Sequence, residues 1–323
     1  MQKVGLIEND ELTALFPLIC GVNLKNTAFS PNFDKSFLSD LLFLEIKKIM
    51  SENDGYVIGL KSKNKITGFC VIKKAEPESM VFGKEVYSLT HIISDGNYHE
   101  SLKNKLALLA FLAPDFEKKI DMISCRVDSG DISTIHALEK QSYMLADGLN
   151  TYSFEMKNLS TYKRQPVFST RLYQHADLEQ LKEIARLSFS VDRFHNDPFI
   201  PKTKSDSLYE KFIENATLGI GADQIMVAEN DSIILGFNTI EVQNQLMARY
   251  GIKIGSFILT AVALNYRNRG VYSSLIIASL KYLEETSDRA EIRTHFNNYP
   301  VHHVLSRLGF TITKSQLTFH RWK

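Results

Sequence analysis

An internal repeat runs through the amino-acid sequence and limits the folds open to its 323 residues. Residues 123–143 align without a gap with residues 290–310, and both stretches have the pattern of a strand followed by a helix. Further upstream, the apolar strand at residues 87–93 aligns with residues 257–263, and each is preceded by a pair of adjacent strands. A repeated supersecondary pattern indicates a repeated structural unit. We therefore predict two similar α/β halves, joined near residues 158–166.

The C-terminal half contains a strand, a basic turn and a helix in direct succession. An apolar run ends at Leu264, Arg267 and Arg269 follow, and an amphipathic helix starts after Gly270. The backbone N–H groups and the dipole at the start of a helix favour a bound phosphate. Glycine lets the backbone approach such a ligand closely, and the arginines add positive charge. The pattern predicts an anion site, although an ordinary turn with solvated arginines has the same sequence features.

A second pattern follows this helix. A short strand ends at Phe296, and an Asn-x-Pro sequence that begins at Asn298 opens a further helix, which ends before Gly309. Asparagine at the cap, proline in the first turn and glycine after the last turn are start and stop signals. Because side chains four or seven positions apart share a helix face, Asn298, His302 and Leu305 are expected on one side.

Together the two patterns resemble the acetyl-CoA loop and the following helix of the GNAT N-acetyltransferases. That family's loop is Gln/Arg-x-x-Gly-x-Gly/Ala, and this chain has Arg267-x-x-Gly270-x-Tyr272, with tyrosine in place of the small residue. The Asn-x-Pro helix that ends in Leu-Gly-Phe is similar to the helix lying along the CoA arm. The resemblance implies an α/β (α+β) fold of two tandem GNAT-like domains, each a mixed, mostly antiparallel sheet flanked by helices. It makes residues 1–160 a degenerate domain and residues 167–323 the catalytic domain.

The resemblance also implies acetyl-CoA as a co-substrate and assigns the residues that contact it. In the family, the strand before the loop separates from its neighbour, and its backbone holds the pantetheine and the acetyl carbonyl. The loop amides hold the pyrophosphate, and an asparagine on the next helix contacts the CoA arm. The corresponding residues here are Ala261, Val262, Ala263, Arg267, Arg269, Gly270, Val271, Tyr272, Ser273 and Asn298. Asn298 is equally suited to cap its helix.

The N-terminal half lacks this loop. Residues 97–100, Asn-Tyr-His-Glu, align with the C-terminal Arg-Asn-Arg-Gly. Glu100 therefore takes the place of Gly270 and brings a carboxylate to the position of the pyrophosphate. Because like charges repel and a side chain blocks close approach, we expect one acetyl-CoA site per chain, in the C-terminal half.

The acid of many GNAT enzymes, a tyrosine seven residues after the helix-start asparagine, is replaced here by Leu305. His302 lies on the same predicted helix face, which makes it the leading candidate for the acid that protonates the thiolate. Tyr272 is the second candidate, and an exposed surface histidine is the alternative for His302. Glu241, in the strand 236–242, is the candidate base, with a solvated strand-edge glutamate as the alternative.

The segment between the first two helices of the C-terminal half resembles one group of GNAT enzymes more closely. Residues 188–201 (SFSVDRFHNDPFIP) and 208–216 (LYEKFIENA) resemble the acceptor region of the dTDP-fucosamine acetyltransferases, which acetylate nucleotide-linked amino sugars for surface polysaccharides. Arg193 would pair with the sugar diphosphate, and Phe194 would stack on a base or sugar face. The alternative is a helix end with Arg193 exposed to water.

Composition narrows the possible partners. A formal net charge of +1 argues against a broad nucleic-acid footprint, and no apolar run of about 18 residues predicts a membrane span. The three cysteines are far apart and have no metal-binding spacing, and the first residues lack the apolar core of a signal peptide. We therefore expect a cytoplasmic protein with a small-molecule acceptor and no metal.

These observations leave three functions open. The leading interpretation is an acetyl-CoA-dependent N-acetyltransferase that acts on a nucleotide-linked 4-amino-4,6-dideoxyhexose. A second keeps the transfer and changes the acceptor to a polyamine, an amino acid or a protein amine. The third is a non-catalytic module that binds acyl-CoA or nothing. The missing helix tyrosine keeps the third function open, whereas an Arg-x-x-Gly loop retained in one half speaks against it.

Overall fold

The computed structural model describes residues 2–21, 35–62, 65–112, 120–161, 163–242, 251 and 253–323. Its strands are β1 (Gln2–Leu6), β2 (Gly55–Ser62), β3 (Lys65–Lys74), β4 (Val86–Ser94), β5 (Met122–Asp128), β6 (Met144–Glu155), β7 (Ser169–Leu172), β8 (Gln224–Asn230), β9 (Ile233–Val242), β10 (Ile254–Val262), β11 (Arg289–His295) and β12 (Thr311–Trp322). Its α-helices are α1 (Phe16–Gly21), α2 (Lys35–Ser51), α3 (Glu76–Phe82), α4 (Tyr98–Phe111), α5 (Ile132–Lys140), α6 (Leu178–Ser188), α7 (Lys202–Thr217), α8 (Val271–Leu283) and α9 (Tyr299–Arg307).

The chain forms two compact units: unit 1 is Met1–Gly148 with Lys314–Lys323, and unit 2 is Leu149–Thr313. The strands of unit 1 lie in the order β1-β2-β3-β4-β5-β12, and those of unit 2 in the order β6-β11-β10-β9-β8-β7. Each unit has one parallel pair, β4–β5 or β10–β11, and its other described pairings are antiparallel. The predicted mixed α/β fold is confirmed.

Each unit is completed by a strand from the other half of the sequence. β6 follows a helix of unit 1, but its residues 149–155 pair with β11 of unit 2. β12 follows a helix of unit 2, but its residues 316–322 pair with β5 of unit 1. The boundary between the compact units therefore lies inside β6, between Gly148 and Leu149, and not in the 158–166 segment.

The sheet of unit 2 carries helices on both faces. α8 and α9 contribute Leu275 and Leu305 to one buried apolar cluster, which includes Ile240 of β9. α6 contributes Leu181 to a second cluster around Phe237 of the same strand. Because Phe237 and Ile240 are an odd number of positions apart on a strand, they point to opposite faces.

The core of unit 1 contains two of the cysteines. Cys70 and Cys125 lie in one apolar cluster with Leu108 of α4 and Phe319 of β12, and burial raises the pKa of both thiols. Both cysteines are small core residues, and a buried thiol with a raised pKa is a poor nucleophile. Among the described helices, none combines the length and apolar character needed to cross a membrane.

Candidate active site

The parallel strands β10 and β11 separate partway along their length. Ile254 to Phe257 pair with Arg289 to Ile292, and the pairing stops there although β10 continues to Val262. On its other side β10 remains paired with β9 as far as Val262. Among the described strands, none pairs with this edge at the end of β10. The edge includes Ala261 and Val262, which are predicted to bind acetyl-CoA. Ala263 follows directly.

A bulge marks the point of separation. The register between β9 and β10 shifts between Phe257 and Thr260. The extra residue leaves backbone groups out of the ladder, and the N–H of Leu259 donates instead to the Thr239 hydroxyl at 2.9 Å. The separated edge is thus a defined structure and not a frayed strand end.

The loop after β10 leads to the uncapped start of α8. Gly270 is the residue before the helix, with φ of 88°, in the left-handed region that favours glycine. A Cβ built on Gly270 would meet no atom within 4 Å. The amides of Val271, Tyr272 and Ser273 lie in the first turn and therefore have no intrahelical acceptor. No side chain of the described residues caps this helix in their place. The start of α8 therefore fits an anion.

The two loop arginines have different surroundings. Arg267 donates to the carbonyl oxygen of Val262 at 3.3 Å and to that of Ser188 at 3.0 Å. It therefore ties the loop to the end of β10 and to the last turn of α6. The guanidinium of Arg269 lies 5.7 Å from the ring centre of Tyr266 and belongs to an exposed residue. Arg269 is therefore the better placed of the two to neutralise a phosphate.

The ring of Tyr272 packs against the apolar cluster of α8 and α9. Burial raises the pKa of its hydroxyl, so Tyr272 stays protonated at neutral pH. This larger side chain is accommodated by the core of unit 2 and leaves the surroundings of Gly270 open.

In unit 1 the corresponding helix start is already filled. Asn97 caps α4 and accepts from the N–H groups of His99 and Glu100 at 3.0 and 3.1 Å. The Glu100 carboxylate accepts from the Asn97 N–H at 2.9 Å. Sequence alignment placed Glu100 opposite Gly270, whereas in the structure Asn97 occupies the cap position and Glu100 lies in the first turn. Two of the amides that would meet an anion, those of His99 and Glu100, are thus bonded to the Asn97 side chain.

Side chains also join α4 and α5 in unit 1. Lys105, which is 4% exposed, donates to Asp131 at 3.1 Å and to Thr134 at 2.6 Å. The Tyr98 hydroxyl and His136 Nδ1 lie 2.7 Å apart. Among the described residues of unit 2, no hydrogen bond or ion pair joins α8 to α9. The space between the two helices is bridged in unit 1 and unbridged in unit 2.

Both ring nitrogens of His302 have partners. Nε2 lies 2.9 Å from the His295 carbonyl oxygen and 3.1 Å from that of Phe296. Because carbonyl oxygens only accept, Nε2 carries a proton. In the neutral ring Nδ1 therefore accepts from the Tyr152 hydroxyl at 2.8 Å. His302 is not a free surface histidine, and no sequence pattern pointed to its partner, a tyrosine of β6.

Asn298 lies at the start of α9, but its side chain does not cap the helix. The side-chain amide donates instead to the Thr294 hydroxyl at 3.0 Å. The cap interpretation is therefore wrong for the side chain, although Asn298 does occupy the cap position. Its backbone carbonyl accepts from the His302 N–H at 3.1 Å, which fixes the first turn of α9 under the histidine.

Glu241 is half-buried in β9, opposite Ser256 of β10. Burial raises the pKa of its carboxyl, the charge of Asp223 raises it further, and Arg293 opposes both. A carboxylate with a raised pKa holds a proton more readily at neutral pH, which suits a general base. Glu241 is therefore not the fully solvated strand-edge glutamate of the alternative interpretation.

The segment between α6 and α7 places its two predicted acceptor residues differently from expectation. Phe194 is 6% exposed, and the Arg193 guanidinium lies 4.3 Å from its ring centre. A buried ring covered by a cation is not available to stack on a base or a sugar, so that part of the prediction is wrong for this conformation. Arg193 itself is half-buried.

Two carboxylates from different elements hold His195 and fold this segment onto α7. The Asp192 carboxylate contacts His195 Nδ1, and Asp206 of α7 lies 3.0 Å from Nε2. Lys202 pairs in turn with Asp206 at 2.6 Å. Burial opposes the charged ring, but hydrogen bonds to both carboxylates outweigh it and raise the pKa of His195. The spacing Asp-x-x-His was a local signal that the sequence analysis missed.

His195→Gln is expected to lower the free energy of unfolding by about 3 kcal/mol in mild acid, because the buried Asp192 carboxylate and the half-buried Asp206 carboxylate lose their shared cation. The pKa of His195 is raised in the folded state. Its contribution is therefore complete below about pH 6.5, the unfolded value, and is lost as the pH rises through the folded pKa. The difference in Tm between wild type and variant should shrink between about pH 5 and pH 9. A difference that stays constant across this range would contradict the assignment.

Comparison with known proteins agrees with this architecture. No model of a known protein family matches the chain. It is similar to the spore coat polysaccharide biosynthesis protein SpsD of Bacillus subtilis (strain 168), with 22% identity over 270 residues, or 83% of this chain and 88% of the relative.

Solved structures are similar to this chain over its whole length. A tandem GNAT protein from the clavulanic acid biosynthesis pathway aligns over 100% of this chain and 98% of its own, at 10% identity and a TM-score of 0.61. A GCN5-related N-acetyltransferase from Sphaerobacter thermophilus aligns over 99% and 95%, at 10% identity and a TM-score of 0.62. The chain therefore has the fold of a tandem GNAT protein.

Proposed function

We propose that the chain is an acetyl-CoA-dependent N-acetyltransferase in which unit 2 is catalytic and unit 1 is a degenerate copy. The observation that carries the proposal is the contrast between the two helix starts. The amides at the start of α8 are uncapped beside the separated edge of β10. Those of α4 are bonded to Asn97 and Glu100. The start of α8 in unit 2 is therefore open to an anion, whereas side chains occupy the corresponding start of α4 in unit 1.

In this proposal acetyl-CoA supplies an activated thioester, and the chain holds it at two places. The amides from Arg269 to Ser273, with the Arg269 side chain, bind the pyrophosphate. The backbone of residues 261–263 binds the pantetheine and acetyl carbonyl along the separated edge of β10. Asn298 contacts the CoA arm from the start of α9. The open surroundings of Gly270 support close approach of the ligand to the backbone.

Glu241 takes the proton of the acceptor amine, directly or through a water, and its raised pKa supports that role. For the departing thiolate we propose a pair, Tyr152 and His302, as the proton source. The hydroxyl of Tyr152 is bonded to His302 Nδ1, and burial raises the pKa of Tyr152, so the hydroxyl stays protonated. His302 holds this hydroxyl in place through Nδ1. After the hydroxyl has given its proton to the thiolate, water returns a proton to the tyrosinate. Tyr272 remains the alternative acid.

The proposed acceptor is a nucleotide-linked 4-amino-4,6-dideoxyhexose for a surface polysaccharide. Similarity to a spore coat polysaccharide biosynthesis protein supports this class over other amines. The test is release of CoA from acetyl-CoA with a panel of amino-sugar nucleotides, polyamines and peptides. The fastest release is expected with a dTDP-amino sugar. Faster acetylation of polyamines or peptides would support the acetyltransferase activity and contradict the amino-sugar acceptor.

Arg193→Ala is expected to raise KM for the amino-sugar nucleotide roughly 10- to 150-fold, because a charge-assisted contact to a phosphate contributes about 1.5–3 kcal/mol. The KM for acetyl-CoA should hardly change. The control is a small amine without a phosphate group, tested as a poor substrate. It cannot make the contact that Arg193→Ala removes. An equal rise in KM for that amine would show that the variant disturbs the segment and not a phosphate contact.

A further inference from the structure

A buried polar chain connects β10, β9 and α8 in unit 2. Asn238 of β9 and Ser279 of α8 are both 0% exposed. The Asn238 side-chain amide donates to the Ser279 hydroxyl at 2.8 Å, and the Thr260 hydroxyl donates to the Asn238 carbonyl oxygen at 2.7 Å. Both ends of the amide are thus used inside an otherwise apolar core, which fixes its orientation.

The ends of this polar chain of hydrogen bonds lie on β10 and α8, the two elements that acetyl-CoA must contact in the proposed site. Thr260 directly follows the bulge in β10 and begins the stretch that leads to residues 261–263. Ser279 lies on α8, the helix whose first amides are uncapped. A hydrogen-bonded connection through one buried amide therefore holds the bulge at a set position relative to the body of that helix.

We propose that Asn238 is a positioning residue that sets the register between the pyrophosphate site and the thioester site. This inference rests on the proposed function. The two sites bind opposite parts of a single molecule of fixed length, so they must be spaced to match it. Loss of the amide would leave the buried Ser279 hydroxyl and the half-buried Thr260 hydroxyl without this partner, and the strand and helix would shift to satisfy them.

Unit 1 provides an internal comparison. Cys70 takes the aligned position of Asn238 and lies in an apolar cluster with Leu108 and Leu109 of α4. The strand partner of Cys70 is Ile92 of β4, whereas the strand partner of Asn238 is Thr260 of β10. In the described part of unit 1 this polar chain has no counterpart, although the unit keeps a bulge in β4 at the same place. The bulge alone therefore does not require the amide.

The test is Asn238→Cys, which copies unit 1, assayed with two donors. Acetyl-CoA contacts both sites, whereas S-acetylpantetheine lacks the pyrophosphate and contacts only the thioester site. We expect kcat/KM to fall roughly 10- to 100-fold with acetyl-CoA, the scale of a small misplacement of reacting groups. With S-acetylpantetheine it should stay within about threefold of wild type. The ratio of kcat/KM for acetyl-CoA to kcat/KM for S-acetylpantetheine therefore falls in the variant.

Matched variants separate positioning from stability. Ser279→Ala removes one hydrogen bond and a single oxygen, and it should reduce the preference for acetyl-CoA in the same direction even if Asn238→Cys does not fold. Asn104→Ala in unit 1 removes another buried amide, which donates to Ser94 at 3.0 Å. It should lower Tm without changing the kinetics of either donor.

Two outcomes overturn the inference, and they differ from failure of the proposed function. Equal losses with both donors would mean that Asn238 acts at the thioester site alone or on the fold. Unchanged kinetics in Asn238→Cys or in Ser279→Ala would mean that the polar chain only stabilises the core. If wild-type protein releases no CoA with any acceptor, the transferase itself is wrong and this inference falls with it.

Discussion

His302→Ala is expected to lower kcat by roughly 10²- to 10⁴-fold, the usual scale for losing a general acid. The ring orients the Tyr152 hydroxyl through Nδ1 and is itself fixed by the carbonyl groups at His295 and Phe296. Tyr152→Phe removes only the hydroxyl and should cause a loss of the same size. The affinity for acetyl-CoA, measured by calorimetry, should stay near the wild-type value in both variants.

His303 is the matched control for this prediction. It is the next residue of α9 and is exposed, and it points about 100° away around the helix. His303→Ala should leave kcat unchanged. A loss below about fivefold in both His302→Ala and Tyr152→Phe, small beside the usual scale, would transfer the role to Tyr272 or to water. A large loss in Tyr152→Phe with none in His302→Ala would leave tyrosine as the acid without help from the histidine.

Gly270→Glu is expected to abolish measurable binding of acetyl-CoA. The substitution places a carboxylate at the uncapped start of α8, where it competes with the pyrophosphate for the same amides. It also forces a non-glycine residue to φ of 88°, which costs about 1–2 kcal/mol. Calorimetry on wild-type protein should show one site per chain, because the equivalent amides of α4 are already bonded.

Two other glycine variants separate charge from backbone strain. Gly83→Glu in unit 1 introduces the same side chain at a positive φ of 65° with no atom within 4 Å, so it should lower stability and leave acetyl-CoA binding intact. Gly270→Ala adds the strain without the charge and should weaken binding less than Gly270→Glu does. Two sites in wild-type protein, or unchanged affinity in Gly270→Glu, would contradict the proposed donor site.

The elements of the fold were largely predictable, whereas the exchange of strands was not. Apolar periodicity, Gly270 and the Asn298 cap position mark α8 and α9 in the sequence, and both helices form where they were expected. β6 and β12 each alternate in the same way, so the pattern fixes which side chains are buried but not which strand lies alongside. That choice depends on contacts between residues far apart in the sequence.

The candidate site was likewise predictable only in part. The loop around Gly270 could be predicted because its chemistry lies in consecutive residues, and the separation of β10 from β11 followed from the family resemblance. The partner of His302 could not be predicted, because Tyr152 is 150 positions away. Burial of Phe194 was missed for a related reason. Asp206, which draws the segment onto α7, lies on a different element from Asp192 and His195.

The exchanged strands reverse the order in which the two units can be finished on the ribosome. β6 is made before the rest of unit 2, so unit 2 has all its strands once residue 295 has been synthesised. Unit 1 begins first but must wait for β12, and until then one edge of β5 has no partner. An open edge on an apolar strand invites pairing with other chains. A chain stalled before residue 314 would therefore carry a finished unit 2 beside a unit 1 that is prone to aggregate.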